Sequence, residues 1–167
     1  MNVEIREWSE GDLSLLGRLL GDPEMTRYLG GPESAEQIGK RHQRYIAISD
    51  SGKGRMFVIT VGPEGTPAGS VGYWEREGGE ETVWETGWSV LPEFQGRGLA
   101  TSGTAFAIER ARAEGKHRYM HAYPSVENAA SNAICRKLAF TLLEAQEFEY
   151  PPGNVVRCND WQLDLRE

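Results

Sequence analysis

The sequence predicts a mixed α/β fold, a mostly antiparallel central sheet of about seven strands flanked by about four helices. Three observations carry that expectation. Apolar residues recur at helical spacing as far as Ile46, then switch to alternate positions from Met56 onward. Three alternating runs follow one another with only short glycine-bearing turns between them, the mark of antiparallel hairpins. After Val90 the pattern becomes helix, strand, helix and two closing strands.

Residues 3–8 read as the first strand. Ser9-Glu10-Gly11-Asp12 starts a helix with Leu13, Leu16 and Leu20 as its apolar stripe, and Asp22-Pro23 ends it. Ser34-Ala35-Glu36-Gln37 has the form of a capping box and opens a second helix carrying Ile38, His42, Tyr45 and Ile46 on one face. His42 on such a face reads as a structural residue. Residues 56–61, 68–75 and 82–90 are the next three strands, separated by Gly62-Pro63-Glu64-Gly65 and Gly78-Gly79. A helix over 99–114 turns Leu99, Gly103, Phe106 and Ala107 to the sheet and is capped by Gly115. The strand at 119–123 then lies parallel to 82–90 by the crossover rule. A shorter helix over 128–138, a strand over 140–150, the turn Pro151-Pro152-Gly153-Asn154 and a strand to Leu165 close the chain as a hairpin.

A chain of 167 residues without a long linker or internal repeat is expected to be one domain spanning 1–167. No apolar run approaches the roughly 18 residues of a membrane span. The opening Met-Asn-Val-Glu-Ile-Arg has neither signal nor transit character, so a cytoplasmic protein without a membrane partner is expected. Cys135 and Cys158 form no C-x-x-C pair, and the histidines at 42, 117 and 121 are scattered, which disfavours disulfides and a metal site. A net charge of −7 disfavours a nucleic-acid partner, which needs clustered Lys and Arg.

The most informative stretch runs from Trp88 to Ala100. A strand ends at Pro92, and Gly96 and Gly98 bracket a turn before the helix at Leu99. The first amides of a helix lack intrahelical partners and the helix dipole adds positive character, so such a turn favours an anion. A tight turn that binds nothing fits the glycine pair as well. A dinucleotide site fits less well: Thr101 stands where the third glycine of G-x-G-x-x-G belongs, and 119–123 offers no acidic residue.

Gln95-Gly96-Arg97-Gly98-Leu99-Ala100 resembles the Q/R-x-x-G-x-G/A acyl-CoA pyrophosphate loop of the GNAT acetyltransferase superfamily. The segment 128–140, Asn-Ala-Ala-Ser-Asn-Ala-Ile-Cys-Arg-Lys-Leu-Ala-Phe, is similar to that family's fourth-helix motif, with Ala139 where Gly is usual. The resemblance is to the ribosomal-protein N-acetyltransferase group, RimJ/RimL-like, and covers nearly the whole chain. It implies acetyl-CoA as cofactor and the GNAT acyltransferase fold. In that fold a bulge interrupts the strand before the loop, which splays from its parallel neighbour. By position, Ser89, Val90 and Leu91 then supply backbone partners for pantetheine. Gln95, Gly96, Arg97, Gly98, Leu99, Ala100 and Thr101 hold the phosphates.

Acetyl transfer to an amine needs a bound thioester, a neutral amine, stabilisation of the oxyanion and a proton for the leaving thiolate. Glu85 is the candidate base. Strand alternation puts it on one face with Gly87 and Ser89, and Glu85-Thr86-Gly87-Trp88 looks like the Glu-x-Gly-Tyr/Trp segment of the ribosomal group. A solvated strand carboxylate remains the alternative. Asn128, Ser131, Asn132 and Cys135 recur at i, i+3, i+4 and i+7 and so share a helix face. The resemblance gives Asn128, Ser131 and Asn132 cofactor contacts, and puts Cys135 where many members carry the proton-donating Tyr. A buried structural thiol is the alternative, and its loss of that Tyr motivates a second reading, a catalytically silent acyl-CoA-binding module. Tyr28, in a loop resembling the acceptor-lining loop of the ribosomal group, and the aromatics Trp74 and Trp88 are candidate acceptor contacts. The acceptor itself is expected to be a protein N-terminal α-amine or a small-molecule amine, and the protein a monomer or homodimer.

Overall fold

The computed structural model describes residues 2–77, 79–149 and 152–167. Gly78 and Pro151, expected as turn residues, Tyr150 at a strand end and Met1 lie outside the described residues. The chain runs β1 (Val3–Glu7), a 3-10 turn (Glu10–Asp12), α1 (Leu13–Leu20), α2 (Ala35–Ser51), β2 (Gly54–Val61), β3 (Thr66–Arg76) and β4 (Val83–Val90). A second 3-10 turn (Pro92–Phe94) leads to α3 (Leu99–Glu114), β5 (Tyr119–Ala122), α4 (Ala129–Lys137), β6 (Thr141–Glu149) and β7 (Val155–Asp164). The strands make one seven-stranded sheet in the order β1-β2-β3-β4-β5-β7-β6. Among the described residues only β4 and β5 pair in parallel, joined by the crossover through α3.

Period-two alternation gives this sheet two apolar faces. On one, Phe57, Ile59, Val71, Tyr73, Trp84, Met120 and Trp161 pack with Leu99, Ala107, Ile108 and Ala111 of α3. Gly103 allows α3 to lie close, because a Cβ there would come within 2.7 Å of Ile59 Cδ1. On the other face, Met56 and Val58 pack with Trp8, Leu15, Leu16, Leu19, Ile38 and Leu91. The helices α1 and α2 therefore cover this second face over β2 and β3.

Two helix faces differ from their expected ones. In α1 the buried stripe is Leu15, Leu16 and Leu19, while Leu13 is 45% exposed at the first turn. In α3 the sheet-facing row is Leu99, Gly103, Ala107 and Ala111 with Thr104 and Ile108, and Phe106 stands 44% exposed. Phe106 lies about 100° around the helix from Ala107, and the close contact at Gly103 fixes which side faces inward. His42 is buried with Nδ1 accepting from Trp8 Nε1 at 3.0 Å, a structural role. Ala139 adopts φ +66, the single positive φ among described non-glycine residues. Phe140 N–H bonds the Cys135 carbonyl at 3.0 Å and Ala139 N–H bonds that of Arg136 at 3.1 Å, so the usual glycine turn is kept without glycine.

Candidate active site

The parallel ladder between β4 and β5 is short. It joins Trp84 to Met120, Glu85 to His121 and Thr86 to Ala122, and stops there, while β4 runs on to Val90 against β3 alone. The chain after β5 instead follows β7, with Asn159 N–H donating to the Pro124 carbonyl (2.9 Å) and Val126 N–H to that of Arg157 (3.0 Å). Pro124 has no N–H with which to continue toward β4. A gap therefore opens between β4 and the segment after β5.

Antiparallel pairing turns the backbone groups of successive β4 residues alternately to β3 and to this gap. Leu91 N–H donates to the Ala68 carbonyl (2.8 Å) and its carbonyl accepts from Phe94 N–H (2.9 Å), which sets the phase. Ser89 and Leu91 thus turn their backbone to β3, and Trp88 and Val90 turn theirs to the gap. This corrects the expected trio: of Ser89, Val90 and Leu91, only Val90 offers its N–H there, and Trp88 joins it. The expected bulge is also missing from this pairing, since the β3–β4 register is unbroken from Arg76 opposite Val83 to Gly69 opposite Val90.

Beyond Val90 the chain reaches the loop before α3. Gly96 and Gly98 have φ of +77 and +76, and a Cβ added at either would meet no atom within 4 Å. Gly98 is the N-cap of α3 and its carbonyl accepts from Ser102 N–H (3.0 Å), so the amides of Leu99, Ala100 and Thr101 are the unpartnered first turn. Gln95 folds back, its Nε2 donating to the Val90 carbonyl at 2.9 Å, and so braces the loop. The Arg97 guanidinium lies over the Phe94 ring at 5.9 Å.

A cavity of about 680 Å³ opens on the α1–α2 side of the sheet and reaches the β4–β5 gap at Thr86, Ala122 and Ser125. Glu85, Ser89, Tyr28, Trp74 and Trp88 line it, as the sequence led us to expect. Trp74 lies against Gly87, where a Cβ would come within 3.1 Å of the ring. Phe148, an aromatic that could wall a pocket or fill the core, lines it too, and other lining residues escaped the sequence reading: Arg76, Tyr123, Cys158, Glu33, Arg41 and Tyr45. Arg76 Nη1 donates to Glu85 Oε1 at 2.9 Å. Alternation from Trp74 puts Arg76 on the cavity face, a signal the sequence does carry. Burial, and then the charge of Asp160, pushes the Tyr123 phenol up to about 12. Burial, followed by the charge of Glu85, also raises the Cys158 thiol.

The fourth helix divides the residues expected on its face. Asn128 caps it, accepting from Ser131 N–H at 3.1 Å, and Ser131 Oγ accepts from Trp88 Nε1 at 3.3 Å. Both border the cavity. Asn132 does not. Its Nδ2 donates to the carbonyls of Ser125 (3.0 Å) and Asn128 (2.8 Å), and its Oδ1 accepts from Asn159 Nδ2 and Trp161 Nε1, both at 2.8 Å. An amide side chain has two donors and two acceptor sites, so Asn132 is saturated as a structural joint and is not a cofactor ligand. Cys135 is fully buried in the main core, where burial pushes its thiol up to about 12. It is a packing residue rather than the proton donor expected by position. Among the described residues no group of three or more His, Cys, Asp or Glu could hold a metal ion, and no helix is long and apolar enough to cross a membrane.

The family model for the acetyltransferase (GNAT) domain matches residues 2–141. The chain belongs to the GNAT acetyltransferase family. No curated protein matches the sequence, but solved structures share its fold. A RimL ribosomal L7/L12 alpha-N-protein acetyltransferase in complex with coenzyme A superposes with a TM-score of 0.82 at 23% identity, over 98% of this chain and 94% of that one. The yncA putative acetyltransferase from Salmonella typhimurium, with acetyl-CoA, gives 0.79 at 20% identity over 98% and 94%. Ribosomal-protein-alanine N-acetyltransferase from Brucella melitensis gives 0.77 at 25% identity over 96% and 99%.

GNAT enzymes are N-acetyltransferases that use acetyl-CoA, and this chain's residues fit that cofactor. The gap beside β4 presents Trp88 and Val90 backbone to an extended chain, and the glycine turn leaves open space before unpartnered helix amides. The two features are joined by the short segment 91–98.

Proposed function

We propose that the protein transfers acetyl directly to a primary amine, the α-amine of a protein N-terminus, within a ternary complex. The observation that carries this reading is the continuity of the β4–β5 gap with the cavity that holds Glu85 on the α1–α2 side of the sheet. Acetyl-CoA, when bound, supplies the activated acetyl group. Trp88 and Val90 hold the pantetheine arm in the gap through backbone groups, and Gly96, Arg97, Gly98 and the first amides of α3 hold the phosphates. Glu85 accepts the proton of the incoming amine, directly or through water, and solvent water would supply the proton that the departing thiolate takes up. Trp74, Trp88, Tyr28 and Tyr123 wall off solvent. Cys158 lines the cavity, but its raised thiol holds its proton and is a poor nucleophile, which supports direct transfer over an acyl-cysteine route. The fold shared with two ribosomal-protein acetyltransferases supports a protein α-amine as the acceptor.

The test combines binding and turnover. Acetyl-CoA at about 100 times its Kd adds roughly 2.7 kcal/mol, an expected rise of about 5–10 °C in Tm, while NAD adds none. A tetrapeptide with a free N-terminus should gain one acetyl group by mass spectrometry. Glu85→Gln should lower kcat about 100-fold and leave the acetyl-CoA Kd unchanged. A folded protein indifferent to acetyl-CoA would overturn the cofactor assignment. Full turnover in Glu85→Gln would remove Glu85 as base.

A further inference from the structure

The cavity contains two carboxylate–guanidinium pairs that the chain makes with itself. Arg41 clasps Glu33 through Nε at 3.0 Å and through Nη2, and Arg76 binds Glu85 at 2.9 Å. A third carboxylate at the cavity, Glu149, is exposed and accepts from Gly153 N–H at 3.1 Å. Arg76 is the last residue of β3, and its guanidinium carbon lies 4.6 Å from the centre of the Tyr123 ring and 5.1 Å from that of Phe148. A carboxylate flanked by two aromatic faces is the set of groups that a substrate ammonium seeks. Here the protein's own arginine fills it.

That occupation acts differently on the two kinds of charge an acceptor can bring. The reacting amine passes its proton to Glu85, directly or through water, before attack, so it reacts neutral. A second ammonium a few ångströms away keeps its charge. It meets the Arg76 guanidinium and a carboxylate already paired with that guanidinium. On the helix side of the cavity Glu33 is likewise committed to Arg41.

We propose that Arg76 is a specificity-determining residue that excludes acceptors carrying a second positive charge beside the reacting amine. The cavity then selects singly charged amines over diamines and polyamines. This rests on the reading of the cavity as the acceptor site.

The test uses two tetrapeptide amides that differ only in their first residue, norleucine or lysine, which are alike in length but differ by one ammonium. N-terminal acetylation is followed by fragment mass spectra, and kcat/KM is compared within each protein. The wild type should favour the norleucine peptide about tenfold or more, the order expected for like charges at this separation with partial screening. Arg76→Gln should bring the two within about threefold, and Arg76→Lys, which keeps the charge, should restore the preference. A general loss of activity from a less well-held Glu85 lowers both substrates alike and leaves the ratio untouched. Equal use of both peptides by the wild type, or an unchanged ratio in Arg76→Gln, would refute the filter. If neither peptide is acetylated while acetyl-CoA still raises Tm, the acceptor assignment of the cavity falls, and the filter with it.

Discussion

Replacing Asn132 by alanine removes four side-chain hydrogen bonds from the joint between α4, the segment after β5, and β7. Their loss is not equal in cost. Asn159 is only half-buried and its amide can turn to water, and the Asn128 carbonyl keeps the Asn132 backbone N–H at 3.1 Å. The Ser125 carbonyl likewise keeps the Asn128 N–H at 3.0 Å. Trp161 Nε1, in a residue 4% exposed, would be left without this partner. A buried polar group deprived of its partner costs about 1–3 kcal/mol. At roughly 2–4 °C per kcal/mol for a chain of this size, a mid-range loss of about 2 kcal/mol lowers Tm by about 4–8 °C. Thermal and urea melts of the apo protein measure this, and a titration with acetyl-CoA should give a Kd within about threefold of wild type. Were Asn132 a cofactor ligand, the pattern would invert. An apo Tm within about 1 °C of wild type, together with weakened acetyl-CoA binding, would refute the structural assignment.

Ala139, in the turn after α4, holds a left-handed φ of +66 that costs an L-residue about 1–2 kcal/mol, so Ala139→Gly should raise stability by about 0.5–1 kcal/mol after the glycine's greater unfolded freedom is subtracted. A urea midpoint at or below wild type would count against it. Cys135 and Tyr123 both hold their protons to about 12 in the folded protein, whereas unfolded thiols and phenols lose theirs near about 8.5 and 10. Above about pH 8.5 the folded state therefore binds more protons than the unfolded state, and stability should fall as pH rises toward 12, by at most about 1.4 kcal/mol per pH unit for each group. Cys135→Ala should reduce the slope between about pH 8.5 and 10, where the raised Cys158 thiol still contributes, and leave neutral-pH turnover unchanged. Urea midpoints that stay level across that range in the wild type, or a loss of turnover in the variant, would contradict this assignment.

Most of the fold was legible before the structure, because local chemistry writes it. The capping box at Ser34 and Gln37, the αL glycines at 98 and 115, and the switch to alternation near Met56 are each decided within a few residues. The glycine turn before α3, the carboxylate at Glu85 and the aromatics Trp74 and Trp88 are read the same way. A helical repeat identifies a face, however, and not which members of that face are buried. Asn128, Ser131, Asn132 and Cys135 share their spacing, yet the first two border the cavity and the last two are consumed by β7 and the core. The phase of β4, which turns Trp88 and Val90 rather than Ser89 and Leu91 to the gap, is set by pairing with β3, some 20 residues earlier in the chain. The self-made pairs of the cavity lie further still from sequence logic. Glu85 and Arg76 face each other because β3 and β4 pair in one register, and Tyr123 and Phe148 close over Arg76 only once β5, β7 and β6 have assembled beside them. Periodicity and capping act between neighbours along the chain, whereas burial, hydrogen-bond saturation and charge pairing depend on which distant strands pass alongside.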